Sequence, residues 1–150
     1  MNYSEIRLLN IELKKYDKIK DMPYILLHDT GVEANQEAKI IDDYHRSKGW
    51  DSIGYDIYIS KTAIYFTKRL IEFLPGAHEP SLNKNSIGIC LAGKEQFNDF
   101  QLLALDTIIN EIEKINKEIK IKYHKEVNSN KIDPGKYLCD HIDTKYTHLR

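Results

Sequence analysis

His28, His124 and Asp133 are the residues of this chain whose types suit a catalytic metal. Two neutral imidazoles and a carboxylate make three protein ligands, and a tetrahedral zinc ion held by three keeps its fourth corner open for chemistry. Cys90 and Cys139 lie far apart and form no CxxC pair, so a cysteine zinc ribbon and a disulfide framework are not indicated and a reducing compartment fits. Spacing leaves a second arrangement open. In it His28 and His124 only pack and hydrogen-bond at strand ends, while Asp133, followed by Pro134, caps a helix with proline at its first position. His45, His141 and His148 have no spacing that recruits them to the same metal, and surface roles are expected for them.

The flanking patterns say which elements would carry these groups. Tyr24 to His28 is a short apolar run behind Pro23 and ahead of Asp29-Thr30-Gly31, which predicts a buried strand ending at His28. Helical spacing of Ala38, Ile41 and Tyr44 predicts a helix over 35–48, stopped at Gly49. Tyr55 to Ile59 and Ala63 to Thr67, rich in β-branched and aromatic residues, predict a hairpin across the glycine-free Ser60-Lys61-Thr62. Ser86 to Gly93 is a continuous apolar run of strand length, as a central strand covered on both faces requires. Asn98 with Gln101 predicts a capping pair. It opens a long helix whose stripe is Phe100, Leu103, Ile108, Ile112, Ile115 and Ile119. From Ile119 the pattern alternates with period two up to His124, so a second histidine is expected at a strand end. Strands alternating with helices predict an α/β fold, one domain over 1–150 with a central mixed sheet flanked by helices.

Composition bounds the function. Hydrophobic residues at 41% and charged residues at 30% are those of an ordinary globular protein with a real core, which excludes disordered and fibrous classes. A net charge of −1 gives no broad positive field, so no nucleic-acid partner is expected. The lysines between Lys114 and Lys125 alternate with isoleucines, and a partner-binding helix face from Asn98 to Lys122 competes there with a merely solvated one, which is favoured. Charges break every apolar run in residues 1–22 before it reaches signal-peptide or membrane-span length. The expectation is a chain that is cytoplasmic as synthesised, has no membrane anchor and is a monomer.

Several segments together resemble a known family. They are YILLHDT, YHRSKGWDSIGYDIYI, the GAH at 76–78, NSIGICLAG and YHKEVNSNKIDPGKYL, collinear over about residues 24 to 138. In this they are similar to the type 2 N-acetylmuramoyl-L-alanine amidases, which share a fold with peptidoglycan recognition proteins. The resemblance implies that His28, His124 and Asp133 bind zinc and that Tyr55 and Lys131 are the polar groups flanking the reacting carbonyl. It implies hydrolysis of the amide joining the lactyl group of the sugar to the first L-alanine of the peptidoglycan stem. Lacking a wall-binding module, the chain looks like a phage or prophage endolysin acting on the periplasmic wall. A cytoplasmic enzyme recycling muropeptides and a binding receptor without turnover are the competing readings. His78, in GAH, either contacts substrate at a groove rim or closes a loop over the sheet edge, and Asn85 is read the same way. The family varies between cysteine and aspartate at the third ligand, so Asp133 rests on the DPG string. Two departures, Asp56 after the tyrosine of the GY block and Ser60-Lys61-Thr62 in the hairpin, bear on groove contacts and not on the metal.

Overall fold

Apolar runs too short for a helix and bounded by turn formers become strands here, and the longer stripes become helices. The computed structural model of the chain describes residues 11–150, so the part of the N-terminal export-signal reading that falls on residues 1–10 lies outside the described residues. The strands are β1 (Tyr24–Asp29), β2 (Ile57–Ile59), β3 (Ile64–Phe66), β4 (Ser86–Leu91) and β5 (Lys120–Tyr123). The helices are α1 (Asp17–Asp21), α2 (Ala38–Ser47), α3 (Lys68–Ile71), α4 (Asp99–Ile115), α5 (His124–Val127) and α6 (Lys136–Lys145). No helix among the described residues is long and apolar enough to cross a membrane.

The strands form one mixed sheet in the order β3-β2-β4-β1-β5. Its centre is parallel, β1 pairing with both β4 and β5 and β2 with β4, and only the β2–β3 hairpin is antiparallel. Parallel strands need cover on both faces, which is why β1 up to Leu27 and β4 from Ile87 onward carry no charged or strongly polar side chain. The pleat sends Ile25, Leu27, Ile87 and Ile89 into the main core against Leu105, Ile108 and Ile112 of α4 and Leu138 of α6. Each such fully buried aliphatic side chain contributes roughly 1.5–3 kcal/mol. The alternate residues Tyr58 and Cys90 face the other way and pack with Ile41 of α2 and Ile53 in a smaller cluster. The site lies on this second face.

Local chemistry explains where elements stop. The predicted cap of α4 is present: the Asn98 side chain accepts the Gln101 N–H at 2.8 Å, and the Gln101 side chain accepts the Asn98 N–H at 3.2 Å. The glycine-free hairpin turn closes because the Ser60 hydroxyl oxygen accepts the N–H groups of Thr62 (3.2 Å) and Ala63 (3.0 Å). Helix α2 begins at Ala38 and not at Asn35, because the preceding polar residues bind the hairpin instead. Asn35 Oδ1 accepts the Lys61 N–H, and the Glu37 carboxylate takes the hydroxyls of Tyr65 (2.5 Å) and Thr62 (2.7 Å). Strand β5 ends one residue early, at Tyr123, so that His124 opens α5.

Candidate metal centre

In open α/β sheets, ligands gather at the carboxyl ends of the strands. β1 ends with His28 and Asp29, and the β1–β5 register pairs Leu27 with Tyr123, so the residues that follow them, His28 and His124, come side by side. Their Nδ1 atoms are 3.0 Å apart. Asp133 arrives on the loop between α5 and α6, where its backbone oxygen accepts the Lys125 N–H at 2.8 Å and Asp29 Oδ2 accepts the Gly135 N–H at 2.8 Å. Both Asp133 oxygens lie 3.1 Å from His124 Nδ1, and Oδ2 lies 3.3 Å from His28 Nδ1. One ligand atom from each of the three residues falls within 4.8 Å of the other two. Both histidines are buried, while Asp133 keeps 18% of its side chain exposed, so the cluster opens to solvent on the carboxylate side.

Asp133 is not a helix cap. Helix α6 begins at Lys136 behind Gly135, and its first N–H groups, those of Lys136 and Tyr137, go to the Glu95 carboxylate at 3.0 and 2.9 Å. The outer ring nitrogens settle which way the lone pairs point. His124 Nε2 is 3.1 Å from the buried Glu79 carboxylate, so it carries a hydrogen, and in the neutral ring Nδ1 is then the acceptor. His28 Nε2 is 2.9 Å from His78 Nδ1. His78 Nε2 in turn lies 3.4 Å from Ser86 Oγ, whose own hydrogen goes to the Leu82 carbonyl at 2.7 Å. The tautomer assignment that satisfies this chain makes Nε2 the protonated nitrogen of both His78 and His28. Two lone pairs and a carboxylate thus converge on one point, an arrangement that repels itself unless a proton or a metal cation lies between. Ligand atoms around a tetrahedral zinc at about 2.0–2.1 Å stand about 3.3 Å apart, and the observed 3.0 to 3.3 Å matches that spacing. The donor set fits a small divalent ion.

The ionisable groups of the cluster shift one another. Burial works to raise the Asp133 carboxyl, but hydrogen bonds and charge from His124 and His28 outweigh it and hold the group well below the usual range. Burial also lowers His28, against the Asp133 hydrogen bond. At His124 burial is outweighed by Asp133 and Glu79, which raise it.

A match to the N-acetylmuramoyl-L-alanine amidase family model runs over residues 18–136. The chain belongs to that family. Among curated relatives of this amidase-family chain, peptidoglycan-recognition protein LB of Drosophila melanogaster is 30% identical over 80 residues, covering 47% of this chain and 34% of the relative. The endolysin of Escherichia phage T7 is 31% identical over 71 residues, 46% of each chain. The matches therefore span less than half the length of those relatives. Among solved structures, the N-acetylmuramoyl-L-alanine amidase LysC from Clostridium intestinale superposes with a TM-score of 0.75 at 25% identity over 89% of both chains.

The other expected site residues of this family member divide. The Tyr55 ring lies 5.0 Å from that of His28, with the buried Cys90 thiol as an electrostatic neighbour. Burial pushes the phenol well up, with Cys90 adding to the effect, so it is neutral. His78 is in the cluster, half-buried behind His28 and not standing out at a rim. Lys131 is exposed on the turn before Asp133, and its ammonium has no hydrogen bond or ion pair with another described residue. Asn85 is exposed, and its backbone N–H bonds the Leu82 carbonyl. Glu79, which holds His124, gave no signal in the sequence beyond its place after GAH. Asp56 takes no part in any groove, being fully buried against Lys18 at 2.5 Å. Hollows of about 300 and 270 Å³ flank the cluster and meet at Asp29 and Thr30. Val32, Ile40 and Tyr44 line the first, Lys94 and Ile132 the second. A larger hollow beside Asp106, between α4 and α6, shares no residue with them.

His45 corrects the surface expectation. It is buried, its Nδ1 accepts the Gly54 N–H at 2.8 Å, and its ring packs 4.5 Å from Trp50, because the turn at Gly49 folds the chain back over it. Burial, then the cations Lys48 and Arg69, lower it to about 4. A folded-state value below the ordinary 6.5 means that its contribution to stability is complete above 6.5 and is lost as pH falls toward 4. The urea midpoint is expected to drop across that window. His45→Gln, which keeps an acceptor but cannot titrate, should make the drop shallower, and an unchanged slope would contradict this assignment.

Proposed function

We propose that this chain hydrolyses the lactyl–L-alanine amide of peptidoglycan or its muropeptides, with zinc held by His28 Nδ1, His124 Nδ1 and an Asp133 oxygen. The observation that carries the proposal is the convergence of two imidazole lone pairs and a carboxylate at one solvent-facing point. Zinc in such a site polarises an amide carbonyl and brings the pKa of water to about 7, which makes hydrolysis feasible at neutral pH.

The chain's own residues then have definable tasks. His28 and His124 stay fixed because each outer nitrogen is already hydrogen-bonded. Lys131, uncommitted to any described partner and two residues from Asp133, suits the negative charge that grows on the carbonyl oxygen, where a cation counts most in the transition state. Tyr55, held neutral, can donate a hydrogen bond toward the departing alanine nitrogen or orient the attacking water. The paired hollows give an extended substrate room on both sides of the reacting bond; Asn85, which lines neither, is proposed as a contact farther out. An endolysin role on the bacterial wall is favoured by the phage relative, and we propose action as a monomer.

The decisive experiment incubates purified protein with intact sacculi and, separately, with soluble anhydromuropeptides. Release of peptides beginning with free L-alanine, abolished by a chelator and restored by zinc, is expected. The preferred substrate separates wall lysis from recycling. Stoichiometric zinc with no peptide release would make the chain a peptidoglycan-binding protein instead.

A further inference from the structure

We infer that the dipeptide His78-Glu79 is a positioning bracket that fixes both histidine ligands at once. The inference rests on the zinc reading above but concerns a different set of residues. Consecutive residues hold the two outer nitrogens, His78 Nδ1 at 2.9 Å from His28 Nε2 and Glu79 Oε1 at 3.1 Å from His124 Nε2. Consecutive side chains on an extended backbone diverge, so one loop can reach both histidines only if its backbone is pinned.

Asn83 supplies that pin. Its Oδ1 accepts the N–H groups of His78 and of Glu79, each at 2.8 Å. The Glu79 carboxylate is further aimed by Ser81, whose N–H and hydroxyl it accepts at 3.0 and 2.8 Å, and by the Asn128 amide at 2.8 Å. His78 sits in a cradle made for its ring. A Cβ on Gly76 would lie 2.3 Å from His78 Cδ2, and one on Gly88 would lie 2.8 Å from both Cδ2 and Nε2. Gly76 begins the GAH string and Gly88 is in the middle of β4, so glycines on a loop and on a central strand leave the same space open for one imidazole.

Hydrogen-bonded outer partners set ligand orientation and tautomer, and their loss typically weakens metal binding 10–100-fold. His78→Phe keeps a ring in the cradle and removes the acceptor. Glu79→Ala removes the other acceptor, and Glu79→Gln retains an oxygen there. Zinc affinity by chelator competition should fall about 10–100-fold in the first two and less in Glu79→Gln. In metal-free protein, nitrogen-detected NMR should show a proton on Nε2 of both His28 and His124. His78→Phe should lose the first signal and Glu79→Ala the second, while Asn83→Ala, which touches neither ligand, should weaken both. Melting curves establish that each variant is folded. Wild-type zinc affinity and intact Nε2 protons in the folded variants would overturn the bracket. If wild-type protein binds no zinc, the metal reading fails alone, and the NMR pattern still decides the bracket.

Discussion

Asp133→Ala is expected to slow peptide release by about a thousandfold or more while leaving the fold in place. A catalytic metal supplies several kcal/mol of transition-state stabilisation, and each 1.36 kcal/mol is a factor of ten in rate. Removing the sole anionic ligand leaves two neutral imidazoles 3.0 Å apart and no carboxylate among the three donors to balance a divalent charge. The loop itself should survive. Its position depends on the Asp133 carbonyl accepting the Lys125 N–H and on Asp29 accepting the Gly135 N–H, neither of which uses the Asp133 side chain. Melting temperature and circular dichroism should therefore stay near wild type while bound zinc and turnover fall together. Asp133→Cys offers a thiolate, a good zinc ligand at about 2.3 Å, and should recover part of both. If Asp133→Ala turned over at the wild-type rate, the carboxylate would not be a ligand.

Asp133 also shows how much of the site the sequence could disclose. The strand leading to His28 was legible because its apolar run stops at Asp29-Thr30-Gly31, and the α4 stripe because Phe100, Ile108 and Ile112 repeat on one face and are all buried. That His28 and His124, 96 positions apart, would touch was not legible from spacing. It follows from β1 and β5 being sheet neighbours in one register, a long-range fact that no local pattern encodes. The collinear family-like blocks supplied that link. Glu79 was missed because a glutamate in a loop is solvated by default, and the Asn83 pin with the Ser81 and Asn128 bonds turns it inward. His45 was misjudged for a related reason: it falls on a polar stretch of α2, and what buries it is Trp50, beyond the helix, whose N–H returns to the His45 carbonyl. In each case the deciding contact is not made within a single helix or strand, where periodicity operates.

Lys18→Met is expected to cost about 3–5 kcal/mol near neutral pH, the range for breaking a buried ion pair by removing one partner. Lys18 is 2% exposed on α1, and its ammonium meets Asp56 Oδ1 at 2.5 Å and the Leu74 carbonyl at 2.6 Å. Asp56 Oδ2 also accepts the Gly88 N–H at 2.8 Å, so this pair ties α1 to the central strand that forms part of the His78 cradle. Methionine fills most of the lysine stem's volume, so packing loss is small and the deficit comes from a carboxylate left without its cation. Burial already raises Asp56 even with Lys18 in place. Without the lysine it rises further. A group whose folded-state pKa lies above its unfolded value stabilises fully below the unfolded pKa and loses that contribution as pH rises through the folded one. The deficit of Lys18→Met should accordingly be largest at neutral and alkaline pH and shrink toward pH 4, as urea melts across that range would show. A deficit independent of pH would mean that lost packing, not the uncompensated charge, is the cause. Lys18→Met combined with Asp56→Asn removes the charge yet keeps an acceptor for Gly88, so it should be more stable at pH 7 than Lys18→Met alone.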